Sequence, residues 1–138
     1  MAEVAGNVSE VLKQLDAKMK MAGEIIGGMA ESYAKQYLTD SGAVDTGRLR
    51  NSVAHGMTGG QMSITDYADN SGNVVGSYDS AIPADPNNKY VVVVGTNVEY
   101  APYIELGTKK TMARPYLRPA IENHKDEYMA VLKDILGG

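Results

Sequence analysis

Two histidines, His55 and His124, are the side chains best suited to proton transfer or metal binding near neutral pH in this 138-residue chain. Glu122 and Asp126 flank His124, a spacing that is ordinary on a solvated helix face. His55 falls in a predicted strand, and neither histidine has partners at metal-ligand spacing. There is no cysteine, which removes thiolate metal sites, cysteine nucleophiles and disulfides. Serine, histidine and aspartate all occur, yet there is no Gly-x-Ser-x-Gly elbow and no Gly-rich loop ending in Gly-Lys-Ser/Thr. Glu105, beside Gly107, is the best candidate for a buried acid. A structural hydrogen bond, or an ion pair to Arg48 or Arg114, would explain it equally. Asp45-Thr46-Gly47-Arg48-Leu49-Arg50 could open a helix whose free N–H groups attract an anion. A capped turn whose arginines meet carboxylates explains it better. The expectation is no catalytic residue, no cofactor site, no metal site and no enzyme activity.

The elements that carry these residues can be read from periodicity. From about Glu3 to Leu38, apolar residues recur every three or four positions: Val4, Val8, Val11, Leu15, Met19, Ala22, Ile26, Met29, Tyr33 and Tyr37. That is one face of a helix, about 54 Å long if continuous. Either it kinks at Gly27-Gly28 or part of it projects beyond the core; Gly23 and Gly27 would equally let another backbone approach closely. Asp40, Ser41 and Gly42 form a turn, and Asp45 or Thr46 can cap a short helical turn. "RNSVAHGM" reads as a strand. Residues 56–89 hold three turn-rich clusters around "QMSITDY" and "NVVGSY" and are expected to form a flexible arm or hairpin. "KYVVVVGTNV" is predicted to be a buried central strand. Pro102 suits the first position of a short helix that Gly107 could end in the left-handed conformation. A last helix starts between Pro115 and Pro119 and turns Leu117, Ile121, Tyr128, Val131, Leu132 and Ile135 towards a core. Strands grouped in mid-chain, with helices outside them, imply a single α+β domain with a small antiparallel sheet, spanning 1–138.

Composition narrows the function further. Formal net charge is −4, so this is no basic nucleic-acid-binding domain. Residues 1–88 carry eleven acids and six bases; residues 89–138 carry six acids and seven bases. Lys109, Lys110, Arg114 and Arg118 cluster without an acid between Glu105 and Glu122. They are either a solvated loop or a docking patch for an acidic neighbour. Phe and Trp are absent, and nine tyrosines and eight methionines supply the bulk; both residue types suit adaptable, half-buried surfaces. "MAEVAGNVSE" lacks signal-peptide character, and no stretch reaches the roughly 18 apolar residues of a membrane span. Synthesis in a cytoplasm is expected.

Three motifs, taken together, resemble the tail-component family of long-tailed double-stranded DNA phages, named after the gp-ten protein of a lambdoid phage. Asp45, Thr46, Gly47, Leu49 and Ser52 match the first. Tyr100, Ala101, Tyr103, Glu105, Gly107 and Thr108 match the second. Pro115, Tyr116, Leu117, Pro119 and Ala120 match the third. Tyr116 and Leu106 stand where phenylalanine is frequent. The resemblance implies a structural virion protein of the neck or head-proximal tail, made in the host cytoplasm. It would act in tail completion or head–tail joining as a homo-oligomeric ring, commonly sixfold. Its neighbours would be head-completion, connector or tail-terminator proteins, and DNA would pass through without sequence-specific binding. Of the motif residues, Asp45, Thr46, Gly47, Leu49, Tyr100, Tyr103, Glu105, Gly107, Thr108, Pro115, Tyr116 and Pro119, with Arg48, Lys109, Lys110, Arg114 and Arg118, are the expected inter-subunit contacts. The alternatives are a tail assembly factor or terminator and, further off, a small hydrolase or ligand-binding domain.

Overall fold

The computed structural model describes residues 2–43, 47–78 and 81–137, with side chains described from residue 8 onward. Asp45 and Thr46, and with them the expected cap, lie outside the described residues. The fold is α+β: a long helix α1 (Ala2–Asp40), a short α2 (Arg48–Ser52), strands β1 (Ala54–Met57), β2 (Asp66–Ala68), β3 (Val74–Ser77) and β4 (Val92–Gly95), then helices α3 (Ala101–Leu106), α4 (Leu117–Glu122) and α5 (Lys125–Gly137). The strands form two separate antiparallel pairs, β1 with β4 and β2 with β3.

The apolar stripe of α1 is used over only part of its length. Ala22, Ala30, Ala34 and Leu38 are buried, whereas Val8, Val11, Leu12 and Leu15 are exposed. The helix is uninterrupted, and Gly23 and Gly27 serve close packing. A Cβ on Gly27 would lie 2.7 Å from His55 Cδ2 and 3.1 Å from Val92 Cγ1. The missing side chains let the β1–β4 pair lie directly on the helix. Asp16 marks where this packing ends: it accepts from Tyr90 Oη at 2.6 Å and pairs with Lys89 Nζ at 3.0 Å. The Tyr90 hydroxyl first, then Lys89 and Lys20, hold its carboxyl well below the usual carboxylate range.

The core lies between the C-terminal half of α1 and the remaining elements. Leu38, Leu49, Val53, Tyr67, Val98, Tyr116 and Ala120 fill it. The expected arm or hairpin at 56–89 contains the β2–β3 hairpin, and two tyrosines tie it inward. Tyr67 is buried and donates to Asn97 Oδ1 at 2.7 Å; Tyr78 donates to the Ser52 carbonyl at 2.5 Å. "KYVVVVGTNV" contributes β4, but not as a central strand. It pairs only with β1 among the described residues and is half-buried throughout. An apolar run alone does not distinguish a central strand from a two-stranded pair lying on a helix. The "RNSV" part of the expected first strand is helix α2 and its end.

The last helix is also divided. It breaks at Asn123-His124, where His124 stacks on Tyr33 with ring centroids 3.5 Å apart. Tyr37 Oη and Glu127 Oε2 meet its two ring nitrogens at 3.0 and 2.6 Å. This cluster joins α5 to α1. Ile121 remains 45% exposed, and α5 contributes half-buried rather than buried side chains.

His55 is buried between two carboxylates rather than packed alone. Its Nδ1 faces Glu31 Oε1 at 2.9 Å and its Nε2 faces Glu24 Oε1 at 2.7 Å. Carboxylates on both sides call for imidazolium, which donates from both nitrogens. Burial is the largest influence and pushes the histidine pKa down, but Glu24 and Glu31 together outweigh it and raise the pKa. For Glu31 burial again acts first, upward, and hydrogen bonds from His55, Ser63 and Lys35 leave the pKa lowered. The raised histidine stabilises fully below its unfolded value of about 6.5 and ceases to do so as pH climbs through its folded value. The lowered Glu31 stabilises above its unfolded value of about 4.3 and ceases to do so as pH falls through its folded value. The network is therefore strongest in mildly acidic solution. Urea midpoints should show wild type losing its advantage over His55→Gln as pH rises from 6 to 9. A difference that stays constant over that range would mean that His55 folds uncharged.

Candidate functional site: an assembly surface

The most distinctive stretch, 98–122, spends much of its chemistry on its own backbone. Tyr116, at the start of α4, offers no side-chain cap. The cap comes instead from α3: Glu105 accepts the backbone N–H of Tyr116 at 3.1 Å, of Leu117 at 2.8 Å and of Arg118 at 3.3 Å. The free N–H groups of a helix start attract a carboxylate. Glu105 therefore has a structural role, but its partner is neither Arg48 nor Arg114. Arg48 forms a two-pronged pair with Glu99 at 2.9 Å on each oxygen and lies over the Tyr100 ring. Arg114 donates its backbone N–H to the Ile104 carbonyl at 2.8 Å. Neither cavity that Glu105 lines contains Arg48 or His55 among its described lining residues.

Gly107 ends α3 with φ 77° and ψ 178°. The φ is positive as expected, but the ψ is not that of the left-handed helical region; this is a conformation essentially restricted to glycine. It redirects the chain into a tight loop, in which Thr108 Oγ1 accepts the backbone N–H of Lys110 at 3.2 Å and of Thr111 at 3.0 Å. Lys109 and Lys110 stand exposed on that loop.

Burial divides the expected contact residues into three sets. Leu49 and Tyr116 lie inside the core, and Gly47 is buried under Asn70. These three cannot present a surface to a neighbour. Tyr103 is 60% exposed, and Lys109, Lys110, Pro115 and Arg118 are also exposed, with Arg118 paired to Glu122 at 3.2 Å. Tyr100, Arg114 and Pro119 are half-buried. Leu106 and Met112, which were not among the expected contacts, are 77% and 86% exposed. The signal was available: both are large apolar residues in or beside the basic loop.

Two adjoining cavities lie around Leu106. One, of about 480 Å³, is formed by residues 96–99, α3, Tyr116 and Leu117. The other, of about 500 Å³, shares Glu105 and Leu106 with it and extends to Arg118 and Pro119. The Tyr116 hydroxyl is buried with no hydrogen-bond partner among the described residues. Burial, followed by the nearby Glu105, pushes its pKa well up. Because an unsatisfied buried hydroxyl carries its full desolvation cost, Tyr116→Phe is expected to stabilise the fold by about 1–2 kcal/mol. A thermal melt should show a rise of several degrees, and a fall would show that the hydroxyl has a stabilising partner.

Fold and site together define a small α+β structural domain whose characteristic motif caps and turns its own chain. A family model described as "Bacteriophage HK97-gp10, putative tail-component" matches residues 2–107, and the chain belongs to this phage tail-component family. A tail component is part of the virion, which fits a structural role. The match covers the first motif and the second as far as Gly107, so Thr108 and the Pro115–Ala120 motif lie beyond it. No curated protein and no solved structure matches the chain. Among the described residues, no helix is long and apolar enough to cross a membrane.

Proposed function

We propose that this tail component acts at the head–tail junction, in tail completion or head–tail joining, as a homo-oligomeric ring around the DNA channel. The observation that carries this reading is the placement of exposed apolar side chains. One group lies on the projecting half of α1, at Val8, Val11, Leu12 and Leu15; the other surrounds α3 and its loop, at Tyr103, Leu106 and Met112. Two different sticky surfaces on one small chain suit a head-to-tail contact, and such contacts close into rings when the rotation permits. The net charge of −4 suits a DNA conduit, since a lumen rich in Lys and Arg would hold the duplex through its phosphates. The expected symmetry is sixfold, with connector, head-completion or tail-terminator proteins above and below.

Light scattering and negative-stain microscopy of the purified chain test the ring, and a closed hexamer is expected. Mass spectrometry of purified particles should find the chain in several copies. Its absence from finished particles would favour a transient assembly factor.

A further inference from the structure

We infer that the projecting tip of α1 docks into the apolar trough beside Leu106 of the next copy of this chain. The inference rests on the ring reading and specifies its contact. Val8, Val11, Leu12 and Leu15 follow the i, i+3, i+4, i+7 spacing that puts them on one helix face, and they are 54%, 61%, 59% and 45% exposed. The trough is lined by Val98, Ala101, Pro102, Leu106 and Leu117.

The occupant is a second copy for two reasons. First, the tip cannot reach the trough of its own chain. Ala34 and Leu38 of α1 share the core with Ala101 and Tyr116, which line the trough. Leu12 lies 22 residues up the same uninterrupted helix from Ala34, about 33 Å away along its axis. Second, the charges complement each other. The tip carries Glu3 and Glu10 ahead of Lys13, its one basic side chain up to Leu15. The loop following Leu106 carries Lys109, Lys110 and Arg114, none of which has a carboxylate partner among the described residues, whereas the acids at the trough are engaged. Stripe and trough are different surfaces, so each copy can both give a tip and receive one.

The absence of native cysteine makes a direct test clean. Leu12→Cys and Leu106→Cys are made singly and together, oxidised, and run on non-reducing gels. The double variant should give a ladder of covalent oligomers, and a mixture of the two single variants should stop at dimers. Leu12→Asp, at an exposed position, should keep the helical circular dichroism signal and abolish assembly. An oligomer that forms without the Leu12–Leu106 crosslink, and that survives Leu12→Asp, overturns this contact and leaves the ring standing. Crosslinked dimers from Leu12→Cys alone would show tips pairing with tips and overturn it too. A chain that is monomeric at every concentration overturns both readings.

Discussion

Replacing Gly107 with alanine is expected to lower stability by about 3–4 kcal/mol, among the costliest single changes open to this chain. Two effects combine. The φ of 77° with ψ of 178° is strained for any residue with a Cβ, at about 1–3 kcal/mol. The added carbon would also lie 2.7 Å from the Ala113 nitrogen and 2.9 Å from the Thr111 oxygen. Both are backbone atoms of the basic loop, which is fastened by the Thr108–Thr111 backbone hydrogen bond at 2.9 Å and cannot swing aside like a side-chain tip. Gly42 is a useful control. It has the same φ of 77°, but nothing lies within 4 Å of its would-be Cβ, so alanine there should cost about 1–2 kcal/mol. Urea denaturation of the two variants separates strain from collision. Equal losses would mean that the 108–114 loop yields freely and does not hold the shape assigned to it.

Loss of the Glu105 carboxylate is the second large effect. Glu105→Ala leaves three N–H groups at the start of α4 without their acceptor. Hydrogen bonds to a charged group, and helix caps, each contribute on the order of 1–2 kcal/mol, and the bonds share one carboxylate. A total of about 2–3 kcal/mol is expected. Glu105→Gln retains one oxygen but turns an NH2 group towards N–H donors, so it should recover about half. The double variant with Gly107→Ala should lose less than the sum, because both changes loosen the same α3–α4 junction. If Glu105→Ala melts within a degree of wild type, water replaces the carboxylate at little cost and the motif has another purpose.

The long helix was legible because periodicity survives whatever surrounds it; the extent of its cover was not. The stripe from Val4 to Tyr37 reads as one face, yet residues 8–15 of it remain exposed. Nothing in a 3.6-residue repeat states where the partner stops, and only the Asp16–Tyr90 contact shows it. Because proline fixes φ locally, Pro102 marked the start of α3 to within one residue; the helix begins at Ala101. Glu105 stood out as a candidate buried acid with a structural hydrogen bond or ion pair as the other reading, but its partners are main-chain N–H groups, which every residue except proline has and no sequence pattern marks. The two glutamates around His55 are seven residues apart on α1. That spacing becomes informative only once β1 is known to lie across Gly27. Tyr116, by contrast, read as part of a contact motif and proved to be core, since aromatic residues serve both purposes equally well.

The most direct measurement of the proposed role is electron microscopy of particles assembled without this chain. Separate heads and tails, or tails with defective upper ends, are the predicted result. Joined, infectious particles of normal appearance would contradict it.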